Sequence, residues 1–343
     1  MKALLFEQPR QFGWAELSEP ARPAPGEALV RVHAVGICGS DISGFLGKMP
    51  FFSYPRIPGH ELGVEVLAVG GGVTHIQPGD RCSVEPYINC QNCFSCKKGN
   101  GNCCENLKVL GVHTDGGMRP RFIVPARKLH PGNKLSNEQL ALVETLAIGC
   151  HAVDRGAPKE GENCLVVGAG PIGLSVLEFL RLHKVNILVA DTNQIRLDFV
   201  GKQFGIKHLI QIRGGDADLE AIQAACGGGL PTLVHDATGN PKAMTRSFDF
   251  VGFTGRMVFV GIVPDAVSFA DPLFHRREMS LFATRNAHSG DFPRIIKLIE
   301  DGVIDTRPWI THRTTLLELP NSFETLIKPE TGVVKAMVAV ENE

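Results

Sequence analysis

The sequence predicts a two-domain α/β protein: a compact, mostly β first domain, then a doubly wound parallel sheet of six strands. Three observations carry that prediction. Residues 1 to about 150 are dense in Gly and Pro between short apolar runs, whereas beyond about 150 apolar runs alternate with helix-like segments. Four cysteines, Cys90, Cys93, Cys96 and Cys104, fall in one fifteen-residue stretch inside the first half. At 343 residues the chain has the length for two domains and a large core.

In the first half, residues 28–32, 64–69 and 121–124 read as strands, separated by the turn signals Pro25-Gly26, Pro58-Gly59 and Pro78-Gly79-Asp80. In the second half, the runs 164–167, 187–190, 208–212, 232–235, 257–260 and 280–283 are apolar enough to be parallel strands covered on both faces. Helices are predicted over 172–183 and 216–225, among others. Six such strands suit the doubly wound dinucleotide fold. The tail holds a helix over about 292–299 and a last strand near 335–340, which is expected to return to the first domain.

The formal charge of −1 gives no electrostatic reason to bind nucleic acid or an anionic membrane. The N-terminus meets Glu7 after four apolar residues, too few for a secretory leader, and no run approaches a membrane span. A cytoplasmic protein is therefore expected, and its ten cysteines are expected to be reduced thiols and metal ligands. Cys82, Cys150, Cys164 and Cys226 read as small core residues.

Gly168-Ala169-Gly170-Pro171-Ile172-Gly173 follows an apolar strand and opens a helix. Gly168 permits the tight turn, Gly170 lets the backbone approach a pyrophosphate, and Gly173 allows close helix packing. The N–H groups at the start of the helix suit phosphates. Asp191 ends the next strand, eighteen residues past Gly173, where an acid bonds the ribose hydroxyls. Its carboxylate would repel a 2′-phosphate, which favours NAD over NADP; Arg196, further along, softens that preference. A helix cap or turn acid is the plain alternative for Asp191.

The pattern C-x2-C-x2-C-x7-C suits four thiolates wrapped around zinc, with Cys103 a rival for the fourth place. Disulfides are the alternative, and nothing in the chain points to an oxidising compartment. A second constellation joins Cys38, His60, Glu61 and Glu144, the ligand types of a zinc with an exchangeable position. Taken singly, each has a duller reading: Cys38 as core, His60 as a turn residue, Glu61 and Glu144 as solvated acids.

Together, Gly36-Ile37-Cys38-Gly39-Ser40-Asp41, Pro58-Gly59-His60-Glu61, the cysteine lobe and the glycine-rich turn resemble the zinc-dependent medium-chain dehydrogenase/reductase family over essentially the whole chain. The resemblance implies a GroES-like catalytic domain over 1–150 and 287–343, and a Rossmann domain over 151–286 with the active site in the cleft between them. It implies a catalytic zinc surrounded by Cys38, His60, Glu61 and Glu144, and a structural zinc on the four-cysteine lobe. Ser40 would relay the substrate proton, and hydride would pass to NAD bound by Gly168, Gly170, Pro171, Ile172, Gly173, Asp191 and Arg196. Lys335 matches a basic position that holds the cofactor or the Asp41 region.

The stretches 50–56, 111–117 and 285–287 are similar to the polyol and sugar-acid branch, which implies a polyol or an L-galactonate-like aldonate as substrate. Arg119, Arg121 and the pair Arg285-Asn286 are the candidate grips for its carboxylate. The chain departs from the family pattern at Ser43, Thr145 and Met118-Arg119-Pro120-Arg121, the last in the local substrate wall. A homodimer or homotetramer is expected. The rival readings are a zinc-free quinone reductase, against which Cys38 and His60 weigh, and a non-enzymatic, zinc-stabilised binding protein. The latter needs a basic surface, yet only Lys97, Lys98 and Lys108 are basic near the cysteine lobe.

Overall fold

The computed structural model describes residues 1–49 and 52–340; Pro50 and Phe51 of the 50–56 stretch lie outside the described residues. The chain forms two compact units, Met1–Thr145 with His288–Glu343, and Leu146–Ala287. The division falls inside one continuous helix, Asn137–Gly156. Among the described residues no helix is long and apolar enough to cross a membrane.

The first unit is built on a seven-stranded sheet. Its order is Ile310–Thr315, Lys335–Ala339, Glu27–Gly36, Glu61–Val69, Arg81–Val84 and Leu129–Pro131, with Arg121–Pro125 also paired to Glu27–Gly36. The central strand Glu27–Gly36 alternates buried and half-buried residues, so Ala28, Val30 and Val32 share the core face. It pairs antiparallel with Glu61–Val69, and the register sets Gly36 opposite Glu61. The last strand, Lys335–Ala339, adds antiparallel to the same strand, with Met337 opposite Gly36. Residues far apart in sequence thus meet where the metal-ligand types cluster.

Rings from four segments close the core under this sheet. Phe323 lies 4.8 Å from Phe45, 5.4 Å from Phe12 and 6.2 Å from Phe6, centroid to centroid, in edge-on arrangements. The tail is therefore part of this unit's core, not an appendage.

The second unit is a six-stranded, wholly parallel sheet in the order His208–Gln211, Asn186–Asp191, Asn163–Val167, Leu233–Asp236, Arg256–Phe259, Ser280–Ala283. In chain order that is 3-2-1-4-5-6, the doubly wound arrangement, whose crevice opens where the order reverses, between the first and fourth strands. Leu165, Val166, Leu188, Val189, Leu233 and Val234 are fully buried, as the apolar runs require. The run 280–283 differs: as the edge strand it has one neighbour, and Leu281 stays 40% exposed. The helix expected over 172–183 is Pro171–Leu180, because the chain tightens after it through bonds from Leu182 N–H to Phe179 O and His183 N–H to Leu180 O. The helix Asp216–Ala225 and the tail helix Asp291–Glu300 lie where the pattern put them. Of the expected core cysteines, Cys82, Cys150 and Cys164 are buried and Cys226 is half-buried.

Phe323→Ala removes the ring on which the tail and the N-terminal segment meet. It is expected to cost about 3–5 kcal/mol of stability, measured by urea unfolding.

Candidate metal and dinucleotide sites

The cysteine lobe folds as a short helix, Phe94–Lys97, followed by a single turn, Gly101–Cys103. The Sγ atoms of Cys90, Cys93, Cys96 and Cys104 all lie within 4.8 Å of one another, whereas Cys103 is exposed outside the group. Cys93 and Cys104 place their sulfurs 3.9 Å apart. A tetrahedron with zinc–sulfur bonds of 2.3 Å has edges of about 3.8 Å, so these residues fit a zinc ion. Backbone N–H groups of Asn92 and Cys93 lower the Cys90 thiol to about 6. The Asn89 amide, 3.5 Å from Cys96 Sγ, lowers that thiol as well. Both shifts favour the thiolate that binds metal. Arg127 holds Asn89 through its side-chain oxygen at 2.6 Å and its carbonyl at 2.8 Å.

The second cluster is assembled from the start of a helix and the start of a strand. Cys38 caps the helix Gly39–Phe45, and His60 and Glu61 lead into Glu61–Val69. Buried Asp41 ties the two pieces together: one oxygen accepts the Cys38 N–H at 2.9 Å and the other the Gly59 N–H at 3.2 Å. Ligand atoms of Cys38, His60 and Glu61 converge within 4.8 Å. Burial opposes charge on His60, but Asp41, Cys38 and Glu144 overcome it and raise the imidazole well above its ordinary value. A cluster of anionic groups around a buried histidine is what a divalent cation would neutralise. Its Nδ1 has no hydrogen-bond partner among the described residues and faces Asp41 Oδ1 at 3.8 Å, and its Nε2 stands 3.4 Å from Ser40 Oγ. Cys38 and Ser40 are only partly buried, and one thiolate, one imidazole and one carboxylate are a ligand set that leaves a fourth position on a tetrahedral metal.

Lys335 is engaged within the first unit, beside the Cys38–Asp41 segment. Its ammonium is 2% exposed and lies 2.6 Å from each oxygen of Glu61 and 3.1 Å from the Ile37 carbonyl. All three of its N–H donors are thereby engaged. Burial alone would neutralise it, but Glu61 and Cys38 raise its pKa and keep it charged. Gly36 makes room for the pair, since a Cβ there would sit 1.9 Å from Glu61 Oε2.

Glu144, in the helix Asn137–Gly156, is buried nearby but outside the 4.8 Å group. Its carboxylate accepts the hydroxyl of Tyr87. Burial raises the pKa of Glu144, with His60 opposing. Sequence reasoning missed both Tyr87 and Asn89. Tyr87 is one of two tyrosines in the chain and follows Pro86 just ahead of the cysteines, and Asn89 directly precedes Cys90; position was the only signal.

In the second unit the three motif glycines have three different reasons. Gly168 has a φ of +99° and sits against the backbone of Ala237 and Thr238. A Cβ on Gly173 would fall 1.8 Å from the Gly168 carbonyl, so the helix packs on the turn only without one. A Cβ on Gly170 would meet nothing nearer than the tip of Arg196 at 3.8 Å. The protein itself does not require glycine there, and the open space fits a pyrophosphate against the N-terminus of helix Pro171–Leu180, which Pro171 and Ile172 begin. Asp191 accepts the N–H groups of Ala169 at 2.6 Å and Asn193 at 2.7 Å, which fixes its carboxylate beside the turn. Arg196 comes closer than its place along the helix suggested, 3.9 Å from Asp191.

The candidate substrate cations fall in different units. Arg119, in the first unit, lies over the Phe122 ring at 4.9 Å and donates to the Asp115 carbonyl at 3.3 Å. Arg121 is engaged by Glu19 at 2.7 Å. Arg285, exposed, and Asn286, with a φ of +52°, follow the edge strand of the second unit. Met118 is fully buried against Gly59 and Val35, so it is core and not a substrate wall.

Comparison with known proteins matches residues 24–134 to the alcohol dehydrogenase GroES-like domain and residues 171–301 to the zinc-binding dehydrogenase family. The chain is 36% identical over 338 residues to L-galactonate-5-dehydrogenase of Escherichia coli (strain K12), covering 98% of each. It is 32% identical to 2-dehydro-3-deoxy-L-galactonate 5-dehydrogenase of Pseudoalteromonas atlantica, covering 94% of each. Its backbone superposes with a TM-score of 0.90, at 30% identity and 99% coverage of both chains, on an alcohol dehydrogenase of E. coli CFT073 crystallised with NADH.

Gly170→Ala and Gly173→Ala are expected to separate binding from folding. The first should keep the thermal midpoint and lose dinucleotide affinity by titration, while the second should lower the midpoint because its Cβ strikes backbone.

Proposed function

The chain belongs to the zinc-binding, GroES-like alcohol dehydrogenase family, and from that premise we propose that it oxidises a secondary hydroxyl of an L-galactonate-like sugar acid or a polyol to a ketone, with NAD as hydride acceptor. The observation that carries this reading is the convergence of Cys38, His60 and Glu61 beside a partly accessible Ser40. Zinc at that cluster supplies Lewis acidity toward the substrate oxygen, and NAD supplies the hydride-accepting ring. Cys38 and His60 would hold the metal, with Glu61, Glu144 or a water completing its shell. Ser40 Oγ receives the proton of the substrate hydroxyl and hands it outward. The helix at Pro171 holds the pyrophosphate and Asp191 the adenosine ribose, which disfavours a 2′-phosphate; Arg196 moderates that preference without reversing it. The thiolates of Cys90, Cys93, Cys96 and Cys104 leave no open position, so that lobe serves folding.

The substrate side rests on the likeness to the two sugar-acid dehydrogenases. A site that bonds several hydroxyls rejects analogues lacking them, because its own polar groups are then left unpaired. Arg285 with Asn286 is the favoured grip on a substrate carboxylate, with Arg119 the alternative.

Metal analysis is expected to find two zinc ions per chain. Cys93→Ser should lose one and unfold readily, since a structural zinc contributes about 10–16 kcal/mol of apparent binding energy in small peptides. Cys38→Ala should lose the other, keep its fold and stop turnover. Active enzyme without zinc would refute the proposal.

A panel of aldonates, polyols, hydroxy amino acids and simple alcohols, each with NAD and NADP, tests the rest by nicotinamide absorbance. The expected result is preference for NAD and for polyhydroxylated substrates. Arg285→Ala should raise KM for an aldonate about ten- to hundredfold, the value of one charged hydrogen bond, and leave that of a neutral polyol nearly unchanged. Robust turnover of ethanol with none on sugar acids or polyols would leave only the family-level assignment.

A further inference from the structure

Two acids stand beside Cys38 and His60, and the protein holds them differently. Glu61 lies within the 4.8 Å group and is ion-paired through both oxygens to Lys335. Glu144 lies outside the group, and among the described residues its hydrogen bond comes from the Tyr87 hydroxyl. A buried carboxylate beside a divalent cation is drawn onto it, because the low dielectric leaves the attraction weakly screened. Something must oppose that pull if a position is to stay open for substrate.

Tyr87 is built to do so. Its ring is 2% exposed and lies edge-on to Phe292 at 6.4 Å. Its backbone pairs with Val109 in a short ladder. Two residues before it, buried Glu85 accepts Lys128 Nζ, His130 Nε2 at 3.2 Å and Ser289 Oγ at 2.5 Å. Two residues after it, Asn89 is clamped by Arg127. The hydroxyl is thus a fixed point, and Glu144 hangs from it by one oxygen.

We propose that Tyr87 is a positioning residue that holds Glu144 back from the metal at Cys38 and His60, keeping one coordination position exchangeable. This rests on the metal-site reading above. In this role Tyr87 acts through Glu144, to which its hydroxyl is bonded.

The test uses the full chain with cobalt(II) at the Cys38–His60 site and compares the wild type with Tyr87→Phe, which keeps the ring and removes the hydroxyl. The expected result is weaker visible cobalt bands as a carboxylate raises the coordination number. Metal release to a chelator should slow, and kcat should fall, each by about ten- to hundredfold, the range found for outer-shell partners of metal ligands. Adding Glu144→Gln to Tyr87→Phe should return the spectrum and release rate to those of Glu144→Gln alone, which general packing damage would not do. Unchanged bands and release in Tyr87→Phe would overturn the proposal, and so would faster release, which would mean that Tyr87 presses Glu144 onto the metal. Glu144→Ala gives an independent check should Tyr87→Phe fail to fold. Metal release near the wild-type rate supports the proposal, and release about tenfold faster overturns it by making Glu144 a ligand. A wild-type protein that takes cobalt only at the four-cysteine lobe would instead overturn the functional reading on which the proposal rests.

Discussion

A buried ammonium bonded to both oxygens of a buried carboxylate holds the first unit together, and the rest of the metal cluster depends on it. Lys335 and Glu61 are each essentially without solvent, and a buried ion pair survives only with good geometry and its remaining donors satisfied. Here the remaining donor goes to the Ile37 carbonyl, one residue from Cys38. The pair therefore joins the last strand, the strand after His60 and the loop bearing Cys38. It explains why the tail comes back to the first unit: without residue 335, Glu61 would be a buried charge with no partner, a loss of about 3–5 kcal/mol. Gly36 follows from the same constraint, since any side chain there would occupy the space of the carboxylate.

Asp41 does for geometry what Lys335 does for charge. By accepting one N–H from each side it sets the Cys38 loop against the Gly59 turn, so the thiol and imidazole face each other. The cysteine lobe solves a different problem. It is small, mostly exposed and poor in apolar residues, with Phe94 71% exposed, so it lacks a core of its own. In the function proposed here the same residue type serves two ends: four thiolates would make a closed site, and one thiolate with a histidine and an acid would leave room for chemistry.

Polar anchors connect these regions along one short segment. From Glu85 to Asn89 the chain is held by a buried carboxylate at one end and a clamped amide at the other, with Tyr87 between them. The dinucleotide turn in the second unit uses backbone in place of charge: Gly168 for its φ, Gly173 for contact, and Gly170 for space that no protein atom fills.

The ladder of six apolar runs, the glycine-rich turn with its acid, and the four-cysteine spacing were legible in the sequence because each is a local pattern. A period, a turn residue or a ligand spacing of two and seven needs no knowledge of distant chain. The edge position of Ser280–Ala283 was not legible, since an edge strand and a central one can share the same apolar run and differ only in what lies beside them. The spacing favoured Cys104 over its neighbour Cys103, and the single turn Gly101–Cys103 leaves Cys104 buried and Cys103 exposed. Lys335 shows the limit most clearly. Its sequence position marked it as functional, but a lysine reaching Glu61 from 274 residues away is decided only when strand pairing sets Met337 against Gly36. Tyr87 and Glu144 are the same case at a separation of 57. Local chemistry specified which groups the protein carries, and long-range packing alone decided which of them are charged, partnered or free to react, because burial and approach are properties of the assembled fold.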